Sequence, residues 1–356
     1  MRRYSIYVRK QPKLLRILQG GMNMNDRTNV LITLPHIRIH NANMISGPYT
    51  WGFPAVTNFL GFVHALHRKL GSSKFAFDGI GIVCHRFEPQ VYQSAPFVPY
   101  QLKITRNPLG KDGKPSSTLE EGRIHLDVTL IIGVKALDTG KEALEKLTNN
   151  VIDTTQTMRI AGGSILPRSK KDRKPFFTVL STTGEQKREQ IKKLKRKFLP
   201  GFVLTNRKEI LMERLAEIRK NNPEATNLDA LLDLCAVKVE PGMTPEQYEE
   251  KLADSESKDI KVDWHFRRER SGWLVPITVG FLPISELYEP GAVKNARDND
   301  VPFRFVEAAY SLGEWLNPIK LEEPEDLMWY YESDLQKGTY LCKQYNKNKE
   351  ENYGKN

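Results

Sequence analysis

The stretch GRIHLDVTLIIG, residues 122–133, alternates between apolar and polar side chains before it becomes continuously apolar. A period of two predicts a β-strand that buries one face and exposes the other. The residues expected on the buried face are Ile124, Leu126, Val128, Leu130 and Ile132. The opposite face of the same strand carries Arg123 and His125, so the stretch predicts both a core strand and a polar sheet surface.

The segments on either side of this strand alternate between strand and helix patterns. VLITLPHIRI (30–39) predicts a first strand, in which Pro35 marks a bulge or an edge position. Residues 54–71 predict a helix that begins at Pro54 and stops at Gly71. A strand at 79–88, a helix at 140–159 and a strand at 175–181 complete the set. The order β-α-β-β-α-β predicts an α+β fold with a ferredoxin-like core, a modified form of the RNA-recognition module.

Long additions interrupt and follow this core, which we expect at residues 29–182. Residues 88–121 form an inserted arm, in which VPYQLKITRNP (98–108) is strand-like and GKDGK (110–114) is a turn, as in a projecting hairpin. The other expected segments are an N-terminal extension at 1–28, a basic helix and helical segment at 183–240, an acidic linker at 241–260, a strand (272–281) and a helix (302–316) packing on the core within 261–340, and a polar tail at 341–356. The C-terminal addition is therefore predicted to be largely helical.

Composition indicates a soluble protein of the reducing cytosol. The chain has 356 residues, of which 39% are hydrophobic and 27% charged, which is enough to build a substantial core. Its three cysteines lack the spacing of a disulfide framework or of a metal site. No apolar run has the length of a membrane span, and the N-terminus lacks the features of a secretory signal. We therefore expect a cytoplasmic protein with no membrane partner.

The net charge of +11 is concentrated in one stretch. Residues 168–197 contain twelve Lys or Arg against three acidic residues, a local balance of +9. Such density favours a polyanion partner, above all a nucleic acid. The alternative is a solvated basic surface, since Ile191, Leu194 and Phe198 recur at helical spacing and predict a helix that docks by one face.

The candidate chemistry is limited to histidines. The chain has neither a P-loop nor a complete dinucleotide fingerprint, and we expect neither a cofactor nor a metal. His36, Arg38 and His40 alternate on the first strand, and a face with such residues could cleave RNA by acid–base catalysis, bind RNA or pack under a partner. A non-catalytic face is favoured because no acid–base pair is visible in the sequence. The aromatic signature of ordinary RNA-recognition modules is also missing, which does not support base stacking on the sheet.

A glycine loop joins the second predicted helix to the fourth strand. MRIAGGSILPRSKKDRK (158–174) places two glycines and a serine at the foot of the helix, before the basic stretch. Such a loop can present backbone N–H groups to an anion. The loop by itself leaves open whether it is a catalyst or a cradle.

A series of motifs along the chain resembles a known family. In order they are LPHIRIHNANMISGPYTWGFPAVTNFLGFVHAL, DGIGIVCHRFE, TRNPLG, EEGRIHLDVTLIIGV, MRIAGGSILP, LPGFVL, LDALLDLC, GWLVPI, VKNARD and PFRFVEAAYSLGEWL. Together they resemble the Cas5-like subunit of the type I-F CRISPR surveillance (Csy) complex, a member of the repeat-associated RNA-binding (RAMP) superfamily. The resemblance runs from about residue 29 into the C-terminal region, and the first residues and the Lys-rich tail depart from it.

The resemblance implies a non-catalytic subunit of a ribonucleoprotein for antiviral defence. Such a subunit binds the 5′ handle of CRISPR RNA as a heterodimer with the large subunit, beside a backbone RNA-binding subunit. It helps to position double-stranded target DNA, and another subunit cuts the RNA. Two alternatives remain, namely a CRISPR repeat endoribonuclease that uses His40, His85 or His125, and a scaffold whose basic face contacts only proteins.

The resemblance and the residue patterns together give the expected RNA contacts. The glycine loop supplies Arg159, Gly162, Gly163 and Ser164, and the end of the first strand supplies His40, Asn41, Asn43 and Ser46. The arm supplies Lys103, Arg106 and Asn107, and the third strand supplies Arg123. The basic helix supplies Lys192, Lys193, Lys195, Arg196 and Lys197 as contacts to a nucleic-acid backbone. The asparagines could instead form local Asx turns, and Trp51 is expected in the core.

Overall fold

The computed structural model describes residues 28–344, apart from 96–97, 107, 117, 182, 255–260, 297 and 335. Nearly all of the expected N-terminal extension, and the tail after residue 344, lie outside the described residues. The chain divides into two compact units. The first unit is Met1–Asn206, Ile277–Tyr310 and Trp315–Asn356, and the second is Arg207–Pro276 and Ser311–Glu314.

Helices and strands alternate along the described part of the chain. Their bounds are β1 Val30–Asn43, β2 Ile45–Gly47, β3 Thr50–Trp51, α1 Val56–Leu70, β4 Phe75–Pro89, β5 Val91–Tyr92, β6 Gln101–Leu102, β7 Ile104–Arg106, β8 Thr118–Glu120, β9 Arg123–Ala136, α2 Lys141–Gln156, β10 Arg159–Ile160, β11 Gly163–Ile165, β12 Phe176–Val179, α3 Gly184–Lys197, β13 Phe202–Asn206, α4 Lys208–Arg219, α5 Asn227–Cys235, β14 Lys238–Pro241, α6 Pro245–Asp254, β15 Trp264–Arg267, β16 Leu274–Pro283, β17 Val306–Leu316, β18 Met328–Asp334 and β19 Thr339–Lys343. Two short 3-10 helices, Pro318–Lys320 and Pro324–Leu327, precede β18.

A large antiparallel sheet organises the first unit. Its central strands lie in the order β10-β11-β1-β9-β4, and β12 also pairs with β1. Strands β13 and β18 pair with β4, and β19 pairs with both β18 and β16. The predicted α+β class is therefore confirmed. Among the described helices none is both long enough and apolar enough to cross a bilayer.

Strand β9 confirms the alternation of the stretch at residues 122–133. Its five predicted core residues are at most 4% exposed, and β9 lies between β1 and β4. Ile131, which has the opposite phase, is buried as well because helix α3 covers that face of the sheet there, and Thr129 is also buried. Towards the start of β9, Arg123, His125 and Asp127 are only half-buried. The polar face is thus open at one end of the strand.

Strand β1 contains the bulge that Pro35 predicted. The register with β9 shifts between Leu34 and Ile37, and His36 has a φ of +52°. Pro35 is not at a sheet edge, because β1 pairs with β9 on one side and with β11 and β12 on the other. The extra residue reverses the alternation, so Ile37 and Ile39 stay buried while Arg38 and His40 are exposed.

The arm at residues 88–121 forms short hairpins. Strand β5 pairs with β6, and β7 pairs with β8. The GKDGK segment is the turn between β7 and β8, closed by a hydrogen bond from Gly110 N–H to the Lys114 carbonyl at 3.0 Å. Asn107, an expected RNA contact, lies outside the described residues, and the side chain of Arg106 is not described.

The basic helix α3 docks by the apolar face that its spacing predicted. Ile191, Leu194 and Phe198 are at most 3% exposed. They share a core cluster with Leu31 and Val83 of the sheet. The lysines of this helix are therefore carried on a surface that is anchored to the sheet.

The expected helix at 302–316 is wrong. Residues 306–316 form strand β17 of the large sheet. Ala309, Leu312 and Leu316 fit a helical period, but Ala309 and Ser311 are buried around a less buried Tyr310, as in a strand. Hydrogen bonds to neighbouring strands of the sheet favour the strand over the helix for this segment. The polar tail also begins later than expected, since β19 includes residues 341–343.

The second unit contains α4, α5, the β14–β15 hairpin and α6. The acidic linker expected at 241–260 is wrong for residues 245–254, which form helix α6. One cluster of charges in this unit is paired internally. Arg214 and Lys238 both bind Asp233, at 2.6 and 2.7 Å, and Lys238 also binds Glu269 at 2.5 Å.

Candidate nucleic-acid interface

A row of polar side chains crosses five strands at the open end of the sheet. Glu88 of β4 is the cross-strand partner of His125 of β9. His125 stacks on His40 of β1, which is the partner of Ser164 of β11. Ser164 is in turn the partner of Arg159 of β10. Cross-strand partners point to the same face, so three of the RNA contacts expected from sequence, His40, Ser164 and Arg159, lie together on one surface.

Unpaired cations flank this row. The acidic member Glu88 is neutralised by Arg86 at 2.8 Å. Arg159 is exposed, and its hydrogen bond to the Gly162 carbonyl is long, at 3.4 Å. Lys103 at the base of the arm is exposed and close enough to influence His125. Within the described residues no carboxylate forms an ion pair with Arg159 or Lys103, so both charges are available to an anion.

His40 and His125 form a parallel pair. Their ring centroids are 4.1 Å apart, and the ring planes differ by 17°. The backbone N–H of Asn41 donates to Nδ1 of His125 at 3.2 Å, and Asn41 adopts a φ of +54° to do so. Nε2 of Gln90 donates to Oδ1 of Asn41 at 2.8 Å and lies 2.9 Å from Nε2 of His125. The outer face of His40 is exposed.

The protonation of His125 follows from these neighbours. Partial burial, followed by the electrostatic effect of the neighbouring His40, holds the pKa of His125 below its ordinary value. Lys103 and Arg86 act in the same direction, and Glu88 opposes them. A proton on Nδ1 would also break the bond from the Asn41 amide. The ring is therefore neutral at neutral pH.

A second histidine pair lies deeper on the same face. His36 and His85 stack with centroids 4.1 Å apart at 25°. Nδ1 of His36 donates to Asp127 at 3.0 Å. Nδ1 of His85 donates to the Pro200 carbonyl at 2.5 Å, and Oγ1 of Thr129 donates to its Nε2 at 2.7 Å. Burial lowers the pKa of His85, although the Pro200 carbonyl opposes that shift. This pair is built into the fold.

The glycine loop is the tip of a two-residue β-hairpin between β10 and β11. Ala161 and Gly162 have φ values of +48° and +73°, as the two central residues of a type I′ turn require. A Cβ on Gly162 would meet nothing within 4 Å, whereas a Cβ on Gly163 would lie 2.8 Å from backbone atoms of Ala42. The close approach at Gly163 therefore comes from strand β1, and the surface open to a ligand is at Gly162 and Ser164.

Asn43 and Ser46 are engaged in local structure. The Asn43 amide bonds the N–H and the carbonyl of Ile45, at 3.1 and 2.9 Å, which is the Asx-type geometry left open by the sequence. The Ser46 hydroxyl bonds to Thr50 at 2.7 and 3.1 Å. Arg123 is held by Glu121 at 2.5 Å. The polar groups of these three side chains are bound within the protein, so they are less available to a ligand.

An ordered basic loop connects the sheet face to helix α3. Arg168 donates to the carbonyl of Pro35 at 2.9 Å, and Arg173 donates to the carbonyl of Lys197 at 3.1 Å. Arg38 of the sheet face pairs with Asp172 in the loop at 3.2 Å. The loop therefore extends the basic surface from β1 to the C-terminal end of α3.

The five cations expected on α3 divide by environment. Lys195 donates to the carbonyl of Ile319 at 2.8 Å, and Lys197 lies over the ring of Phe176 at 3.7 Å. Lys193 is 3.8 Å from Glu189 on the same helix, a weak exposed pair. The remaining two, Lys192 and Arg196, are exposed and form no ion pair with any described residue. They offer the least committed charge on the helix.

Two features of this surface were not predicted from the sequence. Trp51 was expected in the core, but it is 48% exposed and meets the edge of Tyr100 at 5.9 Å. Gln90 was overlooked, although Arg86, Glu88 and Gln90 share the outward phase of one segment, which was a usable signal. The stacked histidines themselves could not be found from spacing, because they come from strands far apart in sequence.

Metal and thiol chemistry have little support in the described residues. No cluster of three or more His, Cys, Asp or Glu side chains is arranged there to share a metal ion. Burial raises the pKa of Cys84 and of Cys342 to about 12, which keeps both thiols protonated and unreactive.

Comparisons with known proteins support the CRISPR-associated part of the resemblance seen in the motifs. Residues 32–342 match the model of the family described as CRISPR-associated protein (Cas_Csy2). The chain is also 43% identical to the CRISPR-associated protein Csy2 of Pseudomonas aeruginosa (strain UCBPP-PA14) over 315 residues, which cover 87% of this chain and 94% of the relative. A mixed α+β chain with a basic, histidine-bearing sheet face thus falls among the CRISPR-associated proteins. Within them, the chain belongs to the Csy2 family.

Proposed function

We propose that this chain is a non-catalytic, Cas5-like subunit of a type I-F CRISPR RNA-guided surveillance complex. In this role it binds the 5′ handle of CRISPR RNA together with the large subunit and helps to position double-stranded target DNA for antiviral defence. It acts in the cytoplasm, beside the backbone RNA-binding subunit nearest the 5′ end. Family membership supports a role in a CRISPR system.

The observation that carries RNA binding is the cross-strand row. His40, Ser164 and Arg159 come from three adjacent strands, yet they form one exposed surface. Arg159 and Lys103 supply charge for phosphates, and the imidazole and hydroxyl groups can contact bases or ribose. The ordered basic loop carries the same surface on towards helix α3.

The strand order supports a ferredoxin-like core of the RNA-recognition type. Strand β12 lies next to β1, β1 next to β9, and β9 next to β4. Helices α1 and α2 each connect strands of this set in the β-α-β-β-α-β order. In RNA-recognition modules of this topology the sheet face opposite the helices binds the strand.

The histidines support a binding role better than a nuclease role. Metal-free RNA cleavage needs one group that takes a proton and another that gives one. His85 has both ring nitrogens bonded inside the protein, and those of His125 lie against the backbone N–H of Asn41 and the side chain of Gln90. A CRISPR repeat endoribonuclease that uses His40, His85 or His125 is therefore disfavoured.

The test is coexpression of the chain with its genomic neighbours, followed by purification through a tag on this chain. We expect a discrete small RNA that begins with the repeat-derived handle and that remains bound at moderate salt. The double variant Arg159→Ala/Lys103→Ala should retain less of it. The matched control Arg267→Ala/Lys261→Ala removes two cations of the second unit and should leave the RNA yield unchanged.

Recovery of the protein assembly without RNA would contradict the proposal and favour a scaffold whose basic face contacts only proteins. Cleavage of repeat RNA by the purified chain, lost in His40→Ala or His125→Ala, would instead favour the endoribonuclease.

A further inference from the structure

The exposed histidine pair offers a flat surface that the fold leaves uncovered. One face of His40 is occupied by His125 at 4.1 Å, and the other faces outward. Within the described residues no further aromatic ring contacts His40. A nucleobase has a flat π-face, and single-stranded RNA bases commonly stack on aromatic side chains, histidine included. We propose that one base of the bound strand stacks on His40, with His125 as the second layer of the platform.

This inference rests on the proposed function, since it needs a single strand on the sheet face. It departs from the sequence-based expectation that this face lacks a stacking surface. That expectation came from the missing aromatic signature of RNA-recognition modules. Here the exposed ring of His40 on β1 takes the place of a phenylalanine or tyrosine, and His125 of β9 stacks behind it.

The surroundings fix the orientation of the platform. The backbone N–H of Asn41 binds Nδ1 of His125. The side-chain amide of Gln90 contacts both the Asn41 side chain and the second ring nitrogen. Asn41 adopts a left-handed backbone conformation, which is uncommon outside glycine and places its N–H against the ring. Because Asn41 binds one nitrogen of the inner ring and Gln90 lies against the other, His40 has a rigid support on which to pack.

The rim of the platform can bind what lies next to a stacked base. The amides of Asn41 and Gln90 lie at one edge, where they can hydrogen-bond to a base edge. Ser164 and Arg159 continue the row on the other side, where ribose and phosphate would follow. The chemistry of the site therefore fits one unpaired nucleotide of a single strand.

The deeper pair His36–His85 shows what a purely structural stack looks like in this protein. Its centroid distance is the same 4.1 Å, but its nitrogens are tied to Asp127, Thr129 and the Pro200 carbonyl. Both histidines there are half-buried, whereas His40 of the outer pair is exposed. In the outer pair His125 is bound by Asn41 and Gln90, but the ring nitrogens of His40 form no hydrogen bond with any described residue, which favours a ligand as the partner of His40.

The experiment uses the purified complex that contains this full-length chain, stripped of RNA and titrated with synthetic handle RNA. The RNA is used intact and with single abasic nucleotides introduced position by position. Aromatic-to-alanine changes at stacking sites cost about 1–3 kcal/mol per base, which is roughly 5- to 150-fold in affinity. We expect His40→Ala to weaken binding of intact RNA by about tenfold, with an unchanged slope of log affinity against log salt.

Two further variants make the test specific. His40→Phe keeps a flat ring without a titratable group and should restore affinity to within about threefold. One abasic position should weaken the parent and leave His40→Ala unaffected, which identifies the stacked nucleotide by a double-mutant cycle. His265→Ala, which removes an exposed histidine of the second unit, is the matched control and should bind as the parent does.

Three results would overturn the inference while leaving the proposed function intact. Parent-like binding by His40→Ala is the first. The second is equal losses in His40→Ala and His40→Phe with a flatter salt slope, which would make His40 a phosphate contact. The third is loss of a protein subunit from the RNA-free complex in His40→Ala, which would make the platform a protein interface. Failure of the parent to bind the handle at all would instead contradict the proposed function.

Discussion

Two histidine pairs on one sheet face share a geometry and differ in everything around it. Both have ring centroids 4.1 Å apart. In the deeper pair, Asp127, Thr129 and the Pro200 carbonyl bind the ring nitrogens. In the outer pair, the inner ring is fixed by backbone and amide groups, while His40 is exposed. The contrast indicates that the first pair maintains the fold and that the second is available to bind.

Cations of the two units differ as the two histidine pairs do, because some are already bound within the protein and others are available to a ligand. In the second unit Arg214 and Lys238 are both bound by Asp233. In the first unit Arg159, Lys192 and Arg196 form no ion pair with described residues. Because a polyanion binds the cations that are not already neutralised, the basic surface of the first unit is the better candidate interface.

The largest expected effect is on folding, at the hairpin that carries Ser164 beside the outer pair. Gly163→Val should destabilise the protein by about 3 kcal/mol, because the new side chain meets Ile39 and the backbone of Ala42. The matched variant Gly162→Ala has open space but a left-handed φ, so it should cost about 1 kcal/mol. Denaturant unfolding of both variants measures the difference, and equal stabilities would show that β11 does not pack on β1 as described.

Alanine substitutions in the two histidine pairs should have clearly different effects on the free energy of unfolding. His85→Ala leaves the Thr129 hydroxyl and the Pro200 carbonyl without their partner, which should cost about 2 kcal/mol. His40→Ala removes an exposed ring and should change stability by less than about 0.5 kcal/mol. The ranking is measured by the free energy of unfolding in the absence of RNA. Equal losses would mean that the outer pair is structural too.

Lowering the pH should reduce the stability of the fold through protonation of His85 in the deeper pair. Its pKa is lowered by burial, so the unfolded chain binds the proton first and stability falls as the pH drops below the ordinary value of 6.5. His85→Gln removes this contribution, so its melting temperature should fall less between pH 7.5 and pH 5.5. His64, whose pKa burial lowers to about 4, contributes equally to both proteins. Parallel pH profiles would contradict the assignment of His85 as a neutral, half-buried ring.

The smallest expected effect concerns charge on helix α3. Lys192→Ala with Arg196→Ala should flatten the slope of log affinity against log salt by about 1.4 for a single strand, since each phosphate contact contributes about 0.7. Sequence preference should not change, because these side chains are expected to contact phosphates. Unchanged nucleic-acid binding with weaker association with the proposed large subunit would indicate that this helix contacts that subunit and not a nucleic acid.

Local sequence patterns predicted helices and strands, but not which residues of different elements contact one another. Alternation in residues 122–133 predicted β9 and its buried face, and helical spacing predicted how α3 docks. The strand β17 was predicted as a helix because its apolar residues satisfy both periods, and only the sheet decides between them. The outer histidine pair depends on the bulge in β1 and on the φ of Asn41. Neither is encoded by spacing alone, so the residues could be named but their partners could not.

Crosslinking of RNA to protein in the purified complex tests the central claim most directly. Ultraviolet irradiation of the complex with its bound RNA, followed by identification of the crosslinked peptides, locates the strand on this chain. The account predicts crosslinks at the end of β1 around His40 and in the β10–β11 hairpin around Ser164, to nucleotides of the 5′ handle. Crosslinks confined to the second unit, or none on this chain while other subunits are labelled, would contradict it.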